Sequence, residues 1–211
     1  EASLRRLSHY DYWDNKVRRS ILIDSGADLL IYGMGERQIV EIAEALESGI
    51  PVNEITFVRG TVYKTKDESR PYDFIKLPDY NDVKDDKKAY SKSFVIQYDN
   101  TDSVTAKTLV EKYDEWLVVQ NPPESPLTTE EFDSVYDLDY MRTYHPMYNK
   151  YGGVPAISEV KFSIISSRGC FGNCNFCALA FHQGRVVSAR SHESIIREAK
   201  IIASDKEFKG Y

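Results

Sequence analysis

All three cysteines of this 211-residue chain fall within one stretch, Cys170-Phe171-Gly172-Asn173-Cys174-Asn175-Phe176-Cys177, at C-x3-C-x2-C spacing. Three thiolates converging in so short a segment make a soft, anionic donor set suited to zinc or to an iron–sulfur cluster. Gly169 and Gly172 give the backbone the freedom to turn the sulfurs inward. An odd number of closely spaced cysteines does not read as a disulfide framework. A cubane cluster held by three thiolates leaves one iron without a protein ligand, and that iron can bind a substrate atom directly.

The flanks of the stretch carry their own pattern. Val160-Lys-Phe-Ser-Ile-Ile165 is predicted to be a strand leading straight into the cysteine loop, and Ser191 is placed to cap a helix containing Ile195, Ile196, Ala199, Ile202 and Ala203. Strand, ligand loop and helix in that order predict the first β/α unit of a barrel, with the site at the strand C-terminal ends. Charge placement points the same way. No Asp or Glu occurs from Val160 through His192, although the chain carries 33, whereas Lys161, Arg168, Arg185 and Arg190 fall inside that interval. A carboxylate-free, mildly basic surrounding suits an anionic cluster.

C-x3-C-x2-C with an aromatic residue before the last cysteine resembles the signature of radical S-adenosylmethionine (SAM) enzymes. Arg168-Gly-Cys-Phe-Gly-Asn-Cys-Asn-Phe-Cys177, followed by Phe181-His-Gln-Gly-Arg185, resembles the YgiQ-type branch of that superfamily. So do Glu1-Ala-Ser-Leu-Arg-Arg6, His9-Tyr-Asp-Tyr-Trp13, Tyr32-Gly-Met-Gly-Glu-Arg37 and Gln120-Asn-Pro-Pro123, so that the resemblance runs over nearly the whole chain. It supplies a mechanism class and no substrate. It implies that Cys170, Cys174 and Cys177 each hold one iron of a [4Fe–4S] cluster and that the fourth iron chelates the amino and carboxylate groups of SAM. One electron would then cleave SAM to methionine and a 5′-deoxyadenosyl radical, which abstracts hydrogen from a substrate. The resemblance also implies an electron donor such as flavodoxin or ferredoxin. It sets Phe176 beside the SAM adenine, a core aromatic being the other reading of that residue. His182, Gln183 and Arg185 follow the loop and are expected to help line the site.

Ahead of the cysteines the expectation is an α/β fold. Residues 1–65 read as part of a doubly wound, Rossmann-like domain, and the resemblance to the wider superfamily implies that it is cobalamin-domain-like. Asp28-Leu-Leu-Ile-Tyr32 is predicted as a buried parallel strand, Gly33-Met-Gly35 as a turn, and Glu36–Ser48 as a helix from the spacing of Ile39, Ile42, Ala43 and Leu46. Gly33 and Gly35 make a tight turn or a ligand contact, but Gln38 breaks any G-x-G-x-x-G pattern. Ile55–Val58 and Thr61–Tyr63 read as a hairpin across Arg59-Gly60. No D-x-H-x-x-G cobalt-ligating pattern surrounds His9.

Residues 66–157 read as a helix and hairpin extension with a linker. The charged Lys66–Lys76 segment is expected to be a loop, residues 81–98 a helix whose solvated face carries Lys84–Lys88, and Thr108–Val110 with Trp116–Val119 a second hairpin. Thr128 and Glu131 form a capping box opening a helix to about Tyr136. His145, beside Pro146, is expected to have no catalytic part. Residues 158–211 are the truncated start of the radical SAM barrel, and the chain reads as an internal piece of a longer protein.

Composition bounds the alternatives. A net charge of −6 argues against a general nucleic-acid binder, which leaves a basic footprint. No apolar run approaches the roughly 18 residues of a membrane span, and reduced cysteines fit a cytoplasmic protein. The competing metal reading is a zinc-binding Cys3His structural or binding module built from Cys170, Cys174, Cys177 and His182. A zinc knuckle would want a cysteine near position 187, where this chain has Val.

Overall fold

Val62-Tyr63, Leu109-Val110 and Val118-Val119 are pairs of adjacent apolar residues, and in a strand the two members of each pair face opposite ways. All six are buried, so the sheet that carries them is covered on both faces. The computed structural model describes residues 2–172, 174 and 176–210. Glu1, Asn173 and Asn175 of the sequence blocks, and Tyr211, lie outside the described residues.

In chain order the elements are β1 (His9–Asp11), β2 (Lys16–Arg18), α1 (Ile21–Ser25), β3 (Leu29–Ile31), α2 (Glu36–Glu47), β4 (Thr61–Thr65), β5 (Phe74–Lys76), α3 (Tyr80–Val83) and α4 (Lys87–Asp99). There follow β6 (Thr108–Tyr113), β7 (Trp116–Gln120), α5 (Thr129–Tyr136), α6 (Ile157–Val160), β8 (Ser167–Arg168), α7 (Leu179–Gln183), β9 (Ser188–Ala189) and α8 (His192–Ala203). The chain divides into two compact units, one of residues 1–126 with 169–186 and one of residues 127–168 with 187–211.

The first unit is a mixed α/β structure built on a five-stranded sheet of order β3-β4-β7-β6-β5. On one face Leu30, Val62, Leu109 and Val118 pack with Leu7, Leu22, Tyr32, Leu77 and Tyr113. On the other, Tyr63, Val110, Leu117 and Val119 form a smaller cluster. Ile42 and Ala45 of α2 close over Ile55 and Val58.

Several expectations are corrected here. The Asp28–Tyr32 strand exists as β3, but it is an edge strand antiparallel to β4, with Leu29 opposite Tyr63. Among the described residues the parallel pairing of this sheet is confined to β5 with β6, which is not the doubly wound, cobalamin-domain-like arrangement expected of residues 1–65. Ile55–Val58 is not a strand; Ile55 and Val58 are buried as the floor under α2 instead. The helix face is rotated too, since Gln38, Ile42 and Ala45 are its buried residues while Ile39 and Leu46 are exposed. β5 forms inside the segment expected to be a loop, because the open edge of β6 accepts it at Phe74 opposite Thr108. The helix expected over 81–98 breaks at Lys84–Asp86, where the Asp86 carboxylate accepts the Lys88 N–H at 2.8 Å and restarts the chain as α4. The exposed Lys84–Lys88 run and the β6–β7 hairpin are as expected.

Gln120-Asn-Pro-Pro123 fastens the sheet to its neighbours. The Arg6 Nε donates to Gln120 Oε1 at 2.7 Å, and the Tyr32 hydroxyl to the Asn121 carbonyl at 2.5 Å. Arg37 donates to Glu124 at 3.3 Å. Asn121 Nδ2 reaches the carbonyls of Thr56 and Val58, each at 2.9 Å, and Thr61 Oγ1 at 3.0 Å. Gly60 joins this knot through its N–H to the Pro122 carbonyl at 2.8 Å, at a φ of +67°, and a Cβ there would lie 2.2 Å from Gln38 Nε2. Asn121→Ala strands buried carbonyls and is expected to lower stability by about 1–3 kcal/mol, measured by chemical denaturation against wild type.

In the second unit the Thr128 capping box is formed at both of its hydrogen bonds and opens α5. Ser191 caps α8, its Oγ accepting the Ser194 N–H at 3.1 Å. The strand expected over Val160–Ile165 is absent: α6 ends at Val160, and the strand that leads into the cysteines is the two-residue β8, antiparallel to β9. A parallel barrel strand needs flanking strands for its hydrogen bonds, and among the described residues none is offered to 160–165. The buried stripe of α8 is Ser194, Glu198 and Ile202, while Ile196 and Ile201 are exposed.

Candidate functional site

The cysteine loop belongs to the first unit and is closed at its neck. The Cys170 N–H donates to the Gly184 carbonyl at 3.2 Å, and the Gly169 N–H to Gln183 Oε1 at 3.0 Å. Gly169 adopts a φ of +84°, the left-handed conformation that favours glycine. Gly172 leaves room for a different reason: a Cβ there would come within 3.2 Å of the Cys170 sulfur, which would have to shift by a few tenths of an ångström. Its N–H points at that sulfur across 3.3 Å, and hydrogen bonds to sulfur are one of the means by which a protein tunes a sulfur-ligated centre.

Cys170, Cys174 and Cys177 all line one cavity of about 330 Å³. Cys170 is half-buried, and Cys174 and Cys177 are exposed. The opposite wall is aromatic. Phe94 and Tyr98 stand one turn apart on α4, and Phe181 of α7 packs against both, with ring centroids 5.9 Å and 5.7 Å away. The Arg185 guanidinium lies over Tyr98, 4.5 Å from its centroid, and donates to Thr101 Oγ1 at 3.2 Å. Among the described residues no Asp, Glu or His lines this cavity.

The residues named from the sequence part company here. Arg185 lines the cavity and Gln183 ties the neck. His182 turns away, its Nδ1 3.2 Å from Ser3 Oγ, and burial holds its imidazole below the usual pKa. Phe176 is 92% exposed, so it is not a core aromatic; it lines a second cavity that also reaches Cys177. Of the four cations in the carboxylate-free interval, Arg185 lines the cavity and the other three make contacts of their own. Lys161 pairs with Asp205 and Glu207, Arg168 lies over the rings of Phe132 and Tyr136, and Arg190 pairs with Glu198. Composition and motif spacing do not single out the aromatic wall; the one sequence signal for it is Phe94 and Tyr98 at i, i+4. His145 accepts the Met147 N–H through Nδ1 at 3.1 Å, a helix-capping part. Among the described residues no three Cys, His, Asp or Glu side chains are gathered tightly enough to hold a single metal ion.

The first unit is thus a mixed α/β unit whose cysteine loop opens onto an aromatic-walled, thiol-lined cavity. The profile of the family described as radical SAM N-terminal matches residues 1–163, and the chain belongs to that family. The match ends before Cys170. The chain is 58% identical over 211 residues to a UPF0313 protein of Clostridium botulinum (strain ATCC 19397 / Type A), covering all of this chain and 33% of the relative. It is 55% identical over 212 residues to a UPF0313 protein of Clostridium perfringens (strain SM101 / Type A), covering all of this chain and 32% of the relative. The chain thus spans about a third of the length of these curated relatives. Family and relatives agree with the YgiQ-type radical SAM resemblance of the sequence blocks. No solved structure matches the chain. Among the described residues no helix is long and apolar enough to cross a membrane.

Proposed function

We propose that the full-length protein is a radical SAM enzyme and that Cys170, Cys174 and Cys177 hold its [4Fe–4S] cluster. The observation that carries this is the donor set: three thiols and, among the described residues, no carboxylate or imidazole open onto one cavity. A single zinc ion needs every ligand within about 2.0–2.3 Å of one point. A cluster takes one thiolate per iron, so its sulfurs share a cavity without converging on a point. His182, the fourth ligand of the zinc reading, does not line that cavity. When bound, the cluster supplies the electron that reductively cleaves the sulfonium of SAM.

The chain's own residues do the rest. The neck bonds from Gly169 and Cys170 hold the loop open toward α4. Phe94, Tyr98 and Phe181 exclude water from one wall of the cavity, and Arg185, pinned on Tyr98, places a cation where a ligand carboxylate or an anionic centre would sit. Phe176, exposed beside Cys177, is the residue proposed to meet the SAM adenine. Residues 158–211 would begin a barrel that the additional length of the relatives would complete. A flavodoxin- or ferredoxin-type donor and a cytoplasmic location accompany the proposal. The test is anaerobic reconstitution of the full-length protein with iron and sulfide, followed by SAM and a strong reductant. Formation of 5′-deoxyadenosine is expected; its absence with the cluster in place contradicts the proposal.

A further inference from the structure

Behind the cysteine loop lies a second cavity of about 280 Å³, which shares Phe94, Phe181 and Cys177 with the first. One of its walls holds an unusual group. Arg6 is 6% exposed, and a guanidinium stays charged in proteins. A buried charge is normally paired with an opposite one, yet the partners of Arg6 are all neutral. Its Nε donates to Gln120 Oε1 at 2.7 Å, its Nη1 to the Ser3 carbonyl at 2.5 Å, and its plane lies 4.5 Å from the Tyr32 ring centroid. Among the described residues no carboxylate pairs with it, and Nη2 takes part in none of these bonds.

His9 and Gln97 line the same cavity. The His9 Nδ1 lies 3.1 Å from the Leu7 carbonyl, which can only accept, so the proton sits on Nδ1 and Nε2 is left as an acceptor. Burial lowers the pKa of this imidazole, which keeps it neutral near pH 7. Phe94, Phe181 and Leu4 supply apolar surface. The cavity therefore offers one uncompensated cation, a neutral acceptor and flat apolar walls. One cation balances one negative charge, which fits a carboxylate better than a phosphate dianion.

We infer that this cavity binds the carboxylate of a small molecule with a flat apolar body, with Arg6 as counter-ion. As the seat of a substrate next to the cluster it rests on the radical SAM reading; as a carboxylate site it stands without it. The same chemistry would serve the carboxylate of SAM, so the experiment separates the two sources. Benzoate is titrated calorimetrically into the full-length protein without its cluster, in the presence and absence of SAM. Saturable binding with a Kd of about 1 mM or tighter is expected, with benzamide, its uncharged counterpart, at least about tenfold weaker. Arg6→Gln should abolish the preference for benzoate. Because Arg6 also fastens Gln120, a second variant leaves it in place: Leu4→Trp, at a 42% exposed position, fills the cavity and should remove binding at unchanged melting temperature. Competition by SAM assigns the site to SAM; simultaneous binding assigns it to a separate substrate. No saturable benzoate binding, equal binding of benzamide, or wild-type binding in Leu4→Trp overturns the inference. Benzoate binding in a protein that fails to cleave SAM would sink the radical SAM reading alone, whereas SAM cleavage without benzoate binding would sink this inference alone.

Discussion

Cys174→Ala in the full-length protein is expected to lower SAM cleavage by more than about 10³-fold and to remove the visible absorbance of the reconstituted cluster in the same step. Cys174 is exposed, so its side chain contributes little packing to the core, and the hydrogen bond that organises its turn runs through backbone, from the Cys177 N–H to the Cys174 carbonyl at 3.1 Å. Removing the sulfur therefore leaves the loop its neck bonds and the unit its sheet. Thermal melting should be unchanged, which separates the loss of a ligand from the loss of a fold. Cys170→Ala and Cys177→Ala are expected to abolish cleavage as well. Retained 5′-deoxyadenosine formation in Cys174→Ala would show that the chemistry lies elsewhere.

The second large effect is one of stability. Glu198→Ala is expected to destabilise the second unit by about 3–5 kcal/mol, because it leaves a buried cation without its counter-charge. The side chains of Arg190 and Glu198 are 1% and 8% exposed, and their ion pair is supported on each side. Arg190 donates to the Ile165 carbonyl at 3.0 Å and to Ser194 Oγ at 2.8 Å, and stacks over Tyr136. Arg142 adds a second cation to Glu198 at 2.7 Å. Burial pushes the Glu198 pKa up, but hydrogen bonds and charge from Arg142 and Arg190 outweigh it and hold the group below its ordinary value. A carboxylate depressed on folding stabilises the folded state above the unfolded pKa, about 4.3 for Glu. That stabilisation is lost as pH falls through the folded value. Wild type should thus lose stability in acid more steeply than Glu198→Ala, and urea titrations at pH 7 and pH 3 measure the difference. Equal slopes would mean that the ion pair contributes nothing.

Where the sequence carried a complete local instruction, the structure followed it. Thr128 with Glu131, Ser191 ahead of α8, and the β6–β7 hairpin each satisfy their own backbone groups within a few residues. The misreadings occur where the outcome depends on a distant partner. Val160–Ile165 is apolar enough for a strand, yet a strand requires a neighbour's hydrogen bonds, and among the described residues none pairs with it. Phe74–Lys76 looked like part of a charged loop until the free edge of β6 is considered. The stripe of α8 could not be found from apolar periodicity, because it includes Glu198, buried by virtue of an arginine eight residues earlier. Arg6 and Glu111 are hidden for the same reason: each is buried among partners roughly 100 residues away, Gln120 for the first and Ser8 for the second. The three cysteines stand out by spacing alone, and all three line one cavity. Its aromatic wall does not, since Phe94 and Tyr98 become a wall only when α7 brings Phe181 against them.

The assignment of Cys170, Cys174 and Cys177 to an iron–sulfur cluster is tested most directly by counting iron, acid-labile sulfide and zinc in the full-length protein purified without oxygen. About four irons and four sulfides per chain, falling together in each cysteine variant, is the expected result. One zinc per chain with no sulfide, lost in the cysteine variants and in His182→Ala alike, would contradict it.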